Sequence, residues 1–287
     1  MPEGHSPTVR RRELGALLRE LRLEKDLTVE QVAQHLLCSA TKVSRMETGQ
    51  RGATARDIRD LCDLYEITDP AERERLTRLA VQSRQHGWWQ DYDLSQFADY
   101  VGLEAEAASI RDFQSSLIPG LLQTPDYTRA VNAVVVPAPD AETLDRQTEV
   151  RLKRQQRLTG QPPLRFHVVL GESALHRLVG GPAVMSAQLD RLAELSSLPN
   201  VTLQIIPFSA GAHPAMDSTF NILDFEGSVP SVVYVEGLVG WVYVKRPQDI
   251  TRYEWVFDRL RAVALTPRES IELVAQVGAQ HKCAERR

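Results

Sequence analysis

Cysteine is scarce in this chain, and the three that occur do not pair in any recognisable way. Cys38, Cys62 and Cys283 form no Cys-x-x-Cys motif, and an odd number argues against a secreted disulfide framework, so all three read as reduced thiols. Long apolar runs are missing too. No stretch approaches the roughly 18 residues of a membrane span, although 43% of the chain is hydrophobic. The opening MPEGHSPTVRRRE carries a basic cluster with no apolar core behind it, which argues against a secretory signal and makes the cytoplasm the expected location. Enzyme signatures are absent: there is no GxSxG elbow, Walker loop, zinc-protease motif or Cys/His pairing, and Ser173 follows Glu172 without an oxyanion motif. Neither an enzyme nor a cofactor is expected. A strong charge of either sign is lacking as well, the net being -4 over 287 residues. Residues 1–86 hold 15 Lys and Arg against 14 Asp and Glu, and the remainder 19 against 24. Any affinity of the first part for nucleic acid must come from a local patch rather than from an overall field.

What is present is clearest between Thr28 and Gly49, TVEQVAQHLLCSATKVSRMETG. Val32, Ala33, Leu36, Val43 and Met46 recur at helical spacing with one interruption, the pattern of two short helices crossing over a shared core. Thr28 can cap the first helix and Ser39 the second, and Ala33 is small enough for close approach. With the apolar residues inward, Ala40, Thr41, Lys42, Ser44 and Arg45 must face outward. A short helix with such a face fits the DNA major groove.

The flanks complete a small helical domain. Residues 1–9 are expected to be mobile, and Arg10, Arg11 and Arg12 either reach phosphates or form a solvated helix entry. Leu14, Leu17, Leu18 and Leu21 predict a helix from about Glu13 to Lys25. Gly49 ends the recognition helix in a left-handed cap, with Arg51 just beyond it. Ile58, Leu61, Cys62 and Tyr65 mark a fourth helix in which Cys62 is a packed small hydrophobe, and Pro70 opens a fifth that stops at Gly87.

The run T-x-E-Q-V-A-x-x-L-x-C-S-x-x-K-V-S-R-M-E-T-G resembles, without a gap, the Xre family of helix-turn-helix domains related to lambda-type phage repressors and Cro. By that resemblance Ala40, Thr41, Ser44 and Arg45 meet base edges, while Val29, Lys42 and Arg51 lie near the backbone. The capping residues Thr28 and Ser39 are counted with this DNA-binding set. Arg45 has the most to offer, since its guanidinium can donate two bonds to guanine O6 and N7. The alternative is an ion pair from Arg45 to Glu47 or Glu30; Glu47 itself reads as structural. Leu37 departs from most relatives in the family, which have Gly in the turn, and a left-handed Leu there would cost roughly 1 kcal/mol or more. Some remodelling of the turn is therefore expected.

Beyond Gly87, Trp88, Trp89, Tyr92, Phe97, Tyr100 and Phe113 concentrate aromatic mass without interleaved basic residues, which favours an aromatic anchor over base stacking. Pro119 and Gly120 break a preceding helix, and Thr124 caps one starting at Pro125. Ala141 to Gly160 forms a helix with Arg146, Arg151, Lys153, Arg154 and Arg157; Asp145 and Glu149 at helical spacing make it a solvated helix by default. LRFHVVL, VTLQIIPF, TFNILDF, SVVYVEG and WVYVK read as strands, the last of them an antiparallel meander. Helices are predicted around 172–179, 183–197, 251–265 and 267–280. His167, Glu172 and His176 invite a metal site, but the change from strand to helix between them argues against a common face, and Glu172 suits a structural carboxylate. The loop with His213 and Asp217 would serve as a ligand gate or merely as a flexible connection.

WW-x-x-Y, GLEAEA, IPGLLQTPDYTRA, GESALHRLVGG, QLDRL, LPNVTLQIIPFSAGAH and VVYVEG resemble the C-terminal domain of actinobacterial, WhiJ-like Xre regulators, also described as antitoxin-like. The resemblance implies a transcriptional regulator or, alternatively, an antitoxin-like protein that sequesters a small partner protein encoded nearby and autoregulates its operon. Double-stranded DNA, a second copy of the chain in a homodimer, that small protein and a small-molecule effector are the expected partners, with no membrane. The expected architecture is multidomain: an all-α five-helix lambda-repressor-like DNA-binding domain over 10–86, an aromatic-rich connecting segment over 87–130 packed on the second domain, and an α+β mixed-sheet domain over 131–282.

Overall fold

The computed structural model describes residues 7–92, 94, 97–135, 138–227, 229–237 and 240–285. The chain divides into two compact units, Met1–Glu106 with Phe225–Pro230, and Ala107–Asp224 with Ser231–Arg287.

The first unit holds helices α1 (Pro7–Glu24), α2 (Val29–His35), α3 (Ala40–Glu47), α4 (Ala55–Leu64) and α5 (Pro70–Gln82). Their apolar stripes meet in one core that includes Leu14, Leu18, Val32, Val43, Met46, Ile58, Leu61 and Leu76, with Cys62 packed among them. The caps are those the hydroxyl and carboxylate residues suggest. Thr28 and Gln31 form a reciprocal capping box on α2, Ser39 accepts from the Lys42 amide on α3, and Thr54 and Asp57 form a second box on α4. Helix α1 begins earlier than its leucines indicate, at Pro7, and Pro7, Thr8 and Val9 are buried in it. Of the segment expected to be mobile, residues 1–6 lie outside the described residues, whereas 7–9 are helix.

Three helices in this unit end in left-handed residues that are not glycine: Asp26, Leu37 and Glu66, with φ of 51°, 50° and 56°. Each closes a Schellman motif, for Leu37 through the bonds Leu37 N–H to Gln34 O (3.2 Å) and Cys38 N–H to Ala33 O (2.9 Å). The turn is thus not remodelled around Leu37. It keeps the geometry that glycine would adopt freely, and the leucine side chain, 90% exposed, stands in solvent.

The aromatic segment divides at Glu106. A short 3-10 turn over Trp88–Asp91 and helix α6 (Phe97–Glu104) belong to the first unit. Gly102 of α6 lies so close to α1 that a Cβ there would sit 2.6 Å from Thr8 Oγ1 and 2.9 Å from Trp89 Cζ2. The expected docking of this stretch on the second domain therefore gives way, through Glu106, to packing on α1. Aromatic content marks a segment that buries itself, but does not say against which body.

The second unit is a mixed sheet flanked by helices: β1 (Ser109–Gln114), α7 (Pro125–Asn132), α8 (Ala141–Gln155), β2 (Arg165–Gly171), α9 (Ser173–His176), α10 (Pro182–Leu195), β3 (Val201–Ile206), β4 (Phe220–Asp224), β5 (Val232–Gly237), β6 (Gly240–Val244), α11 (Pro247–Val263) and α12 (Pro267–Glu285). Among the described residues the strand order is β3-β2-β1-β4-β5-β6. β1, β2 and β3 run parallel and are joined by helical crossovers, while β4, β5 and β6 form the antiparallel meander expected of short connections. One face packs Phe113, Phe220, Ile222 and Val233 against Ile250, Phe257 and Leu260 of α11.

Strand β1, next to the middle of the sheet, was not expected from the sequence. SIRDFQ carries two charges where a buried parallel strand normally reads as continuous apolar residues. The structure satisfies at least one of them through the fold, because Arg111 donates to Asp224 (3.1 Å) and Glu254 (2.8 Å) on other elements. The element before Pro119 is accordingly this strand and not a helix, while Thr124 does cap α7. Helix α8 departs from a plain solvated helix: Arg154 is buried at 5% exposure and Arg157, just beyond the helix, donates to the Ala107 and Pro162 carbonyls.

Candidate nucleic-acid interface

Helix α3 has 8 residues, of which Val43 and Met46 are buried. Two of its charged side chains turn back into the protein. At its C-terminal end Glu47 accepts from Arg22 of α1 through both oxygens, at 2.7 and 2.9 Å, and the third bond of that guanidinium goes to the Leu27 carbonyl at 2.8 Å. The pair is nearly out of solvent, with side-chain exposures of 10% and 7%. Near the N-terminal end the Lys42 ammonium donates to Asp57 at 2.6 Å, and the other oxygen of Asp57 accepts from the Thr54 amide and hydroxyl. Burial acts to raise the Asp57 carboxyl, yet the bonds from Lys42 and Thr54 together hold it below the usual carboxylate range. Helix α3 is therefore clamped to α1 at one end and to α4 at the other.

Close backbone packing adds to the clamp. Gly15 of α1 faces the last carbonyls of α3, and a Cβ there would fall 2.5 Å from Met46 O and 2.6 Å from Glu47 O. The turn after α3 is equally tight: Gly49 has φ of 70°, and its Cβ position lies 2.7 Å from Arg12 Cγ. Only glycine meets both demands at Gly49.

Of the sequence-predicted residues, Thr41, Ser44 and Arg45 are exposed on α3 and Arg51 is exposed just after it. No ion pair from Arg45 to Glu47 or Glu30 is formed among the described residues; Glu47 is committed to Arg22 instead. The Arg51 amide donates to the Arg45 carbonyl at 3.0 Å, so the loop folds back beside the helix. Ala40 and Val29 are half-buried against the core, and Thr28 and Ser39 serve as caps. Lys42, expected near the DNA backbone, is tied to Asp57 in the protein itself, because the α4 cap brings a carboxylate within its reach. The Arg10–Arg12 triplet is no free arm either: Arg10 pairs with Glu13 at 2.7 Å and Arg11 bends to Pro7 O and Thr8 Oγ1. The two clamp partners, Arg22 and Asp57, escaped the sequence reading. The Thr-x-x-Asp spacing from Thr54 could have flagged Asp57 as a cap, but nothing local marks Arg22.

The second-unit candidates do not converge. Glu172 accepts from the Phe208 amide at 2.6 Å and meets His176 at 3.3 Å, the tie of a structural carboxylate across two connections. His167 lies apart, bonded to Gln204 at 3.0 Å and edge-on to Phe257, and burial pushes its imidazole down. His213 caps its own turn, accepting from the Ala215 amide at 3.3 Å, with its ring against Phe113. Among the described residues no group of three or more His, Cys, Asp or Glu is placed to hold a metal.

Comparison with protein families finds two matches along the chain. Residues 13–76 match a helix-turn-helix domain, and residues 97–276, more than half of the chain, match a domain of unknown function, DUF5753. The chain belongs to the DUF5753 family. In this member the helix-turn-helix match spans α2 and α3, and the DUF5753 match begins at Phe97, the first residue of α6. No curated protein and no solved structure matches the chain. No helix among the described residues is long and apolar enough to cross a membrane.

Proposed function

We propose that this DUF5753 protein is a sequence-specific transcriptional regulator of the Xre type rather than an enzyme, acting on double-stranded DNA in the cytoplasm. The observation that carries the reading is the sorting of charges on α3. Glu47 and Lys42 are held inside the domain, which leaves Thr41, Ser44 and Arg45 on an outward face with the Arg45 guanidinium exposed. In this reading Arg45 reads guanine bidentately and Arg51 meets a phosphate. One such helix reads few base pairs, so the protein works as a homodimer on two half-sites about one DNA turn apart. The DUF5753 domain provides regulation by binding a small molecule or a small protein more tightly in one DNA-binding state than in the other.

Genome-wide footprinting of the tagged protein, followed by binding to the recovered site at fixed salt, tests this. Arg45→Ala should relax base preference at one position by about 1–3 kcal/mol, and Arg51→Ala should weaken binding to all sequences alike. Wild-type affinity and selectivity in both variants would overturn the assignment.

A further inference from the structure

Beside α3, the start of α1, the loop after α3 and the chain after α5 enclose a polar cleft of about 400 Å³. Arg11, Lys42, Arg51 and Arg84 line it, and Asp57 is its carboxylate. Lys42 and Asp57 neutralise each other at 2.6 Å, so the three guanidinium groups remain in excess. Arg51 and Arg84 are exposed, and neither side chain is bonded among the described residues. Arg11 makes only 3.3 Å bonds to its own helix. Gly52 forms part of the wall, where a Cβ would stand 3.6 Å from Ser83 Oγ and 3.8 Å from Arg11 Cδ, ordinary contact distances. Three planar, weakly hydrated cations around one concavity repel each other unless an anion sits among them, and the guanidinium fork matches phosphate.

The geometry points to a phosphate of the DNA backbone as the occupant of this cleft. Lys42 and Arg51 belong both to the cleft and to the segment running from α3 into its following loop, and a helix seated in the major groove has a sugar–phosphate strand along each flank. The inference deepens the proposed DNA binding and rests on it. It adds Arg11, before the helix-turn-helix, and Arg84, after the fifth helix, to the contacts that position the domain without reading sequence.

The test measures binding of the full chain to a short duplex carrying the footprinted site, over a series of salt concentrations. Arg84→Ala should lower the slope of log K against log salt by about 0.9 and weaken specific and non-specific duplexes alike. Gly52→Glu, which places a carboxylate in the cleft, should do at least as much. Circular dichroism on all variants verifies folding, and a misfolded Gly52→Glu leaves the decision to Arg84→Ala and Arg11→Ala. Unchanged slopes in Arg84→Ala and Arg11→Ala would overturn the inference while leaving the footprint intact. A wild-type chain that binds no duplex would instead overturn the DNA-binding reading itself. In a second arm, inorganic pyrophosphate is titrated into the protein without DNA. Binding that Gly52→Glu abolishes, with the duplex salt slope unchanged, would assign the cleft to a free phosphorylated ligand and overturn the DNA assignment.

Discussion

Replacing Glu47 by alanine would strand the Arg22 guanidinium against the end of α3. Two bonds, at 2.7 and 2.9 Å, would be lost, and only the 2.8 Å bond to Leu27 O would remain. Breaking a buried ion pair by removing one partner costs about 3–5 kcal/mol, because the other charge stays desolvated. With 10% of the Arg22 side chain still open to solvent, the lower end applies, about 3 kcal/mol. Glu47→Gln keeps an acceptor for one bond and should lose about half as much. Amide hydrogen exchange of α3 in the full chain is the suitable assay, since it reads local opening without assuming that both units unfold together. About 3 kcal/mol corresponds to exchange faster by on the order of 100-fold. The double variant Arg22→Met with Glu47→Met should lose less than the two single changes summed, since no charge is left stranded. Base preference should survive in the Glu47 variants wherever they are folded. Exchange in Glu47→Ala within a few-fold of wild type would refute the clamp.

Leu37→Gly should stabilise the first unit by about 1 kcal/mol and raise its melting temperature by several degrees, since the left-handed strain disappears and a side chain in solvent loses no packing; a lower melting temperature would contradict this. Gly15→Ala should destabilise by about 1–3 kcal/mol, helix propensity losing to overlap with Met46 O and Glu47 O, whereas Gly278→Ala in α12, whose Cβ would meet Leu189 Cβ at 3.7 Å, should stabilise by up to about 1 kcal/mol. Thermal melts of the two variants should therefore shift in opposite directions. The Asp57 carboxyl, held low in the folded protein, contributes stability that is present above its unfolded pKa of about 3.9 and is lost as pH falls through the folded value. Urea unfolding of Asp57→Asn should show a deficit at pH 7 that narrows below about pH 4; a deficit independent of pH would exclude the ion pair as its source.

The helix-turn-helix was legible in the sequence because its information is local. A spacing of three and four residues puts Val32, Ala33, Val43 and Met46 on one side, hydroxyls at Thr28 and Ser39 cap the two helices, and the outward positions of Thr41, Ser44 and Arg45 are then a matter of geometry. Most strands of the second unit were legible for the same reason, as alternating or continuous apolar runs. Strand β1 was not, since Arg111 becomes tolerable inside a sheet only once Asp224 and Glu254 arrive from more than a hundred residues away. The same holds at the interface. Periodicity assigned Lys42 and Glu47 to α3 but could not say that Asp57 and Arg22 would engage them, because ion pairs between helices depend on distances that chain spacing does not encode. Nor could it say that Trp89 and α6 would close on α1, or that Arg11, Arg51 and Arg84 would surround one cleft. Local sequence determined which helix presents the face proposed to read DNA. The tertiary structure alone decided which charges on that helix remain free to use it.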